Sequence, residues 1–415
     1  MNSGAQKNIF SRITSLLGSP SPSDICIILD IGTVCVSLIL VRYTKNSLPE
    51  ILYSINIPFS ISDQQHTEKM QADVLAGCTL AIQHTITYGL SHAYFKKKSR
   101  TIEKVLCIFS SPWYASKTKT VSIQNNRPFL ITPTFISHLI DVEIQTFEEE
   151  LKNGMHGEEF TQDVVVLDAS IINTKINGYV YDTPLNKKTT ECDITLYLGI
   201  GSKTIVKKIH DCILDSFSIS KQHILSHTFP LVSYSAIEKL FPHTHSYILC
   251  HITGEVTDIT CVSHNLIGET HTFPSGTFFL VRKIAEAFSV PSEIALSYIH
   301  IYTSGKAHTY MNEKIKQVLI DIEREWSIYF ENIFSLLQKQ NFIPDTMYVV
   351  TDPVLAPFFL TFLKNERNDT TLTWRKSANI LHISSEILKE YLIQNSQFKS
   401  EESAMLGTIF LSHFQ

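Results

Sequence analysis

The sequence predicts an α/β fold in which two duplicated domains face a central cleft, with a block of further strands and a helix between the two copies. Three observations point there. Residues 25 to 111 read as strand, strand, strand, helix, strand. The same order begins again at Tyr247. Between the two copies, from DVVVLDASI onward, lies a block of further strands and a helix that belongs to neither. A repeated unit within one chain reads as internal duplication, with two sheets facing one another across a crevice.

Composition sets the outer bounds. A chain of 415 residues is long enough for two to four domains or subdomains. With 44% hydrophobic and 18% charged residues it is globular. A net charge of -5 and a pI near 6.4 argue against nucleic acid as a ligand. The sharpest basic cluster, KKKSR at 96 to 100, reads as a solvated loop. The 8 cysteines form no CxxC pair and lie largely in apolar runs, as buried thiols of a reducing compartment do. His243, His245, Cys250 and His251 lack zinc spacing, and alternate strand residues face opposite sides of a sheet.

The elements follow in order. Residues 1 to 23 stand apart: Ile9, Phe10, Ile13, Leu16 and Leu17 fall within about 120° of arc at roughly 100° per residue, and SPSPS then breaks the helix. So short a helix is marginal alone, which leaves a membrane surface, a partner or the protein's own body for it to dock on. ICIILDIGTVCVSLILV at 25 to 41 carries Asp30 and Gly32 in its middle, so it is two buried strands and a turn, not a bilayer span. A strand at 50 to 57, a helix at about 68 to 90 and a strand at 105 to 111 complete the first unit. A helix at 133 to 152 opens on Thr132-Pro133, a turn sits at Asn177-Gly178, and ECDITLYLGI is a strand. Ser202-Lys203 then opens an amphipathic helix through Ile205, Val206, Ile209 and Ile213.

In the second unit, ILCHITGEVTDITCV at 248 to 262 is a hairpin with alternating arms. GETHTFPSG continues it, TFFLVRKIAEAF is a helix, and a long helix runs from Asn312 to Gln340 with Ile315, Leu319, Ile322, Trp326, Phe330, Ile333 and Leu337 on one face. TMYVVT at 346 to 351 is a strand, and SEESAMLGTIFLSHF closes the chain with a helix.

In this order, LDIGTVCVSLILV, ITGEVTDI, VVTDPVLAPFF and SAMLGTIFL resemble the two phosphate hairpins, the adenine loop and the closing helix of the actin-like ATPase superfamily. The middle block, VVVLDASIINTKINGYVYDTPLNKKTTECDITLYLGIGSKTIVKKIHDCI, resembles the inserted small α+β subdomain, of SHS2 type, of its FtsA and PilM members. The resemblance implies an N-terminal segment and linker at 1–23, domain I at 24–111, the insertion at 112–214, a return to domain I at 215–246, domain II at 247–395 and a closing helix on domain I at 396–415.

A triphosphate site needs glycine for close approach, free N–H donors and a carboxylate that holds magnesium through water. The resemblance assigns these parts to Asp30, as metal-side carboxylate, and to Gly32, Thr33, Gly254, Thr257 and Asp258. Three places depart from the pattern. His251 replaces an aspartate, and Glu255 replaces a glycine and would repel phosphate if it pointed inward. Asp352-Pro353 replaces the glycine pair of the adenine loop, and Ala295 and Tyr298 stand where the family offers glutamate and lysine to the nucleotide.

The expected cofactor is therefore none, or weakly held Mg-ATP, with no catalytic residue assigned. The expected function is an FtsA-like scaffold of the cytoplasm, meeting the inner face of the cell membrane through residues 9 to 17 and binding division or pilus proteins, with a homopolymer among the assemblies the family forms. FtsA's membrane helix is C-terminal, and this chain ends at Phe414-Gln415 with none. The alternatives are a PilM-like part of a type IV pilus platform and, in another class, a working Mg-ATPase.

Overall fold

The computed structural model describes residues 23–61, 67–91, 101–152, 163–181, 183–339, 343–364, 372–394 and 397–414. The amphipathic segment with Ile9, Phe10, Ile13, Leu16 and Leu17, and the basic run at 96 to 100, lie outside the described residues.

The duplication is visible strand for strand. The first sheet contains β1 (Ser23–Ile31), β2 (Cys35–Thr44), β3 (Glu50–Pro58), β4 (Ile102–Phe109), β9 (Ile224–Thr228) and β15 (Ile393–Gln394), in the order β15-β3-β2-β1-β4-β9. The second contains β10 (Tyr247–Ile252), β11 (Thr257–Ser263), β12 (Leu266–Phe273), β13 (Thr346–Val350) and β14 (Asn379–His382), in the order β12-β11-β10-β13-β14. In each, an antiparallel three-strand meander is extended by two parallel strands beside its first member. β1 and β10 are central and covered on both faces, so their residues are apolar nearly without alternation.

Helices cover both sheets. α1 (Thr67–His84) and α3 (Lys203–Ser216) pack Val74, Cys78, Ile205 and Ile209 on one face of β1, against Ile25, Ile27 and Leu29. α4 (Phe229–Leu240) and α11 (Glu402–Leu411) cover the other face, and their core also takes in Tyr247, Leu249, Tyr348 and Val350 of the second sheet. The two lobes thus share one apolar core. α11 can lie this close because of Gly407, where a Cβ would sit 2.3 Å from Ile108 Cδ1. In the second lobe α5 (Thr277–Phe288), α6 (Ser292–Thr303), α7 (Thr309–Lys339) and α8 (Ala356–Lys364) surround Trp326, which stacks on Phe330. Two short helices, α9 (Leu372–Ser377) and α10 (Ser385–Leu388), flank β14 in the chain.

Between β4 and β9 the chain builds a separate four-stranded sheet, β5-β8-β6-β7, from β5 (Tyr114–Leu130), β6 (Val164–Ile176), β7 (Tyr179–Val180) and β8 (Lys188–Ser202), covered by α2 (Pro133–Glu150). Thr132 caps α2 by accepting the Phe135 N–H, with Pro133 at its first turn. β5 is the strand that the sequence reading passed over. Its polar run SKTKTVSIQNN is half-exposed along an edge and carries little apolar signal. The helix read over 68 to 90 is α only to His84 and continues as a π turn through Gly89.

The inserted sheet is tied to both lobes. Asp168 on β6 accepts from His227 Nδ1 at 2.7 Å and from the Thr228 N–H at 2.9 Å. Thr118 on β5 donates to the Ile267 and Gly268 carbonyls, and Tyr114 donates to Asp258.

Candidate functional site

The turn after β1 and the turn after β10 come together at the ends of the two sheets, as the duplication requires. Thr33 reaches across from the first to the second. Its hydroxyl accepts the N–H of Gly254 at 2.9 Å and, more weakly, that of Glu255 at 3.4 Å. The approach needs glycine at 254, where a Cβ would lie 3.0 Å from Thr33 Oγ1 and 3.1 Å from the Phe278 ring. Behind the first turn, Trp113 Nε1 donates to the Gly32 carbonyl at 3.0 Å. Behind the second, Thr277 and Phe278 at the start of α5 donate their N–H groups to the Thr253 and Gly254 carbonyls.

A pocket of about 660 Å³ lies between Ile61 of the first lobe and α5 and α6 of the second, and beside the two turns is a smaller one of about 60 Å³. Four carboxyl groups line this smaller cavity: Asp30 from β1, Asp352 from the turn after β13, and Glu401 and Glu402 at the start of α11. Among the described lining residues there is no Lys or Arg.

Burial pushes the Asp30 carboxyl up to about 6, against a hydrogen bond from Ser403 Oγ to its Oδ2 that pulls it down. Burial and then the neighbouring carboxylates raise Glu401 to about 7; burial is also the main cause that raises Glu402 to about 7. Glu401 accepts from Asn56 Nδ2 at 2.9 Å, and Glu402 from the Ser385 N–H at 3.2 Å. Asp352 accepts the Val354 and Leu355 N–H groups, so its carboxyl is held by the turn that leads into α8. Three buried polar atoms at this cavity lack a hydrogen-bond partner: Asp30 Oδ1, His251 Nδ1 and Thr351 Oγ1.

The sequence-predicted residues are therefore only partly assembled. Asp30, Gly32 and Thr33 line the cavity. Thr257 and Asp258 do not: Thr257 is fully buried and donates to the Ser275 carbonyl at 2.6 Å. Asp258 accepts from Thr272 at 2.6 Å and from Tyr114 at 3.1 Å, and burial raises its pKa despite those bonds. Glu255 is not free to face phosphate, because Arg282 holds both its carboxylate oxygens, at 3.0 and 2.7 Å. The repulsion expected of an inward Glu255 is thus replaced by a bidentate ion pair.

His251, in the place of an aspartate, stacks on Phe229 of α4 with centroids 3.8 Å apart, and burial lowers its pKa to about 3, leaving it neutral. Ala295 is core, and Tyr298 packs edge-on to Phe288. Glu401, Glu402 and Ser403 were not foreseen; the one signal was an acidic pair ahead of the closing helix. Among the described residues no group of three or more His, Cys, Asp and Glu is arranged to hold a metal ion. The acidic lining beside the two turns and the engaged N–H donors of the second do not fit a triphosphate bound there.

No family model and no curated protein sequence matches the chain. Solved structures do. The chain is similar over 94% of its length to 98% of a chain in a PilM-PilN type IV pilus biogenesis complex, at 12% identity and a TM-score of 0.59. A Bacteroides thetaiotaomicron protein with an actin-like ATPase fold and unknown function matches over 92% of this chain and 95% of its own, at 9% identity and a TM-score of 0.38. The ethanolamine utilization protein EutJ of Carboxydothermus hydrogenoformans matches over 95% and 91%, at 11% identity and a TM-score of 0.41. The fold is that of the actin-like ATPases.

Proposed function

We propose that this chain is an actin-like scaffold that works without turning over ATP and holds protein partners of an envelope machine of the pilus type, at the cytoplasmic face of a membrane. The observation that carries the reading is the Thr33 hydroxyl on the Gly254 and Glu255 N–H groups. In a phosphate hairpin those donors would face the ligand; here one lobe's turn satisfies the other's. The acidic cavity and the Arg282-bound Glu255 support the same conclusion.

The likeness to the PilM chain, over nearly all of both molecules, favours a pilus-type setting over the FtsA-like division role that the residues first suggested. Among the described residues no helix is long and apolar enough to cross a membrane. Membrane contact through Ile9, Phe10, Ile13, Leu16 and Leu17 belongs to this proposal, and a partial fall in vesicle sedimentation on deleting residues 1 to 22 is its test, with unchanged sedimentation refuting it.

Titration calorimetry of the full chain with Mg-ATP tests the cleft. The expected result is no heat of binding and no phosphate release. Micromolar binding with turnover overturns the reading and leaves the Mg-ATPase, with Asp30 as its metal-side carboxylate.

A further inference from the structure

The far end of the inserted sheet carries a surface that the cleft does not explain. β6 and β7 turn through Asn177 and Gly178, both at positive φ, and the turn is pinned where Thr189 donates to Asn177 Oδ1 at 3.0 Å. Register places Leu130 opposite Lys188 and Ile176 opposite Cys192, so the end of β5, the β6–β7 turn and the start of β8 share this end. The Asn186 N–H donates to the Ile131 carbonyl and the Ile131 N–H to the Lys187 carbonyl, fixing the loop between β7 and β8 beside them. The opposite end of the sheet, where Tyr114 pairs with Gly201, is braced on the lobes. At about 3.3 Å per residue, β8 sets the tip roughly 45 Å away from that end.

Large apolar side chains crowd this tip. Tyr179 is 75% exposed and Val180 64%, with Leu130, Leu185 and Tyr181 between 38% and 47%. Four exposed cations surround them: Arg127, Lys175, Lys187 and Lys188. Against them stand Glu191, exposed at the same end, Asp193, opposite Lys175 in the register, and Asp182, next to Tyr181 in the sequence. Four cations against three carboxylates leave this end with a small positive excess on a chain of net charge -5, and Lys187 and Lys188 are adjacent.

The geometry points to the tip of the inserted sheet as a peripheral contact for an anionic lipid bilayer. Tyrosine places an apolar body below the headgroups and its hydroxyl among them. Lysine stems lie along the apolar surface while their ammonium groups stay at phosphate level. The shape favours lipid over an acidic protein, because a projecting sheet end offers no groove and lysine is depleted from the cores of protein interfaces. The inference extends the membrane side of the reading above but does not depend on the state of the cleft, which calorimetry tests separately.

The test is sedimentation of the full chain with vesicles of phosphatidylcholine, alone or mixed with phosphatidylglycerol. Binding is expected only with phosphatidylglycerol and should weaken with salt. Each lysine near an anionic surface contributes about fivefold to partitioning, so Lys187→Glu with Lys188→Glu should lower the bound-to-free ratio at least tenfold. Tyr179→Ser with Val180→Ser should lower it similarly. These side chains are exposed, so both pairs should keep the wild-type thermal midpoint. The same losses are expected after deletion of residues 1 to 22, which separates the tip from the N-terminal segment. Wild-type protein that stays in the supernatant, as it would if the tip served an acidic protein, overturns the inference. So does sedimentation that neither tip pair changes.

Discussion

Replacing Asp30 by asparagine should stabilise the fold, and by an amount that grows with pH. In the unfolded chain this carboxyl loses its proton near 3.8; in the folded cavity it does so near 6. Between those values the folded state binds the extra proton, so the site's contribution to stability is full below about pH 4 and falls as pH rises through 6. A difference of about two pH units corresponds to about 3 kcal/mol at 1.36 kcal/mol per unit. The amide side chain carries no such penalty and keeps an oxygen for Ser403.

A wild-type pH profile alone mixes this effect with its opposite. His251 is held neutral with a pKa near 3 against 6.5 unfolded, so acidification across that interval removes stability. The difference between Asp30→Asn and wild type cancels the histidine. Urea denaturation followed by tryptophan fluorescence at pH 4, 5.5 and 7 should show the variant's advantage growing by about 2.4 kcal/mol, the remainder falling below pH 4. A change under about 1 kcal/mol, or one of opposite sign, would mean that Asp30 loses its proton in the folded state near its ordinary value, and would refute the account of the cavity.

Two further substitutions address the second hairpin. Thr33→Val leaves the buried Gly254 N–H without its acceptor and weakens the turn at Glu255; the expected cost is about 2 kcal/mol in denaturant titration, with Thr33→Ser within about 1 kcal/mol of wild type. Arg282→Ala removes the bidentate partner of a carboxylate only 8% exposed and should cost about 2 to 3 kcal/mol. A double-mutant cycle with Glu255→Gln should return a coupling of at least about 1.5 kcal/mol, and additive costs would show that the pair is incidental.

Legibility in the sequence followed physical locality. The arms of both hairpins were readable because buried central strands are nearly continuous apolar runs broken by a turn residue, as in CIILDIGTVCVSLIL. α7 was readable from its spacing of threes and fours, within three residues of its observed start. β5 was not, because an edge strand with one half-wet face carries Lys117, Thr118, Lys119 and Thr120 where a pattern of apolar residues would be sought. Asp30 and Thr33 could be found by their place after β1. Their partners could not, since Ser403 lies 373 residues from Asp30 and Gly254 lies 221 from Thr33. No periodicity encodes a hydrogen bond across that separation. His251 was visible as a departure, but that it stacks on Phe229 follows only once α4 is laid between the lobes.

A hinged enzyme and a rigid platform of the same topology differ in where the second hairpin's polar groups are spent. Here Gly254 N–H goes to Thr33, Glu255 to Arg282, Thr257 to the Ser275 carbonyl, and Asp258 to Thr272 and Tyr114. Two of those partners, Thr33 and Tyr114, belong to the first lobe and to the inserted sheet, so the hairpin ties three bodies together. Opening the cleft would break the Thr33 bond and expose the acids that line it, while α4 and α11, packed into both lobes' shared core, resist rotation. A ligand moves such an equilibrium only by its differential affinity for the open form. An anion entering among Asp30, Asp352, Glu401 and Glu402 has little to offer in return, and on the reading proposed the two lobes therefore act as one body whose outer surfaces, not its cleft, meet other molecules.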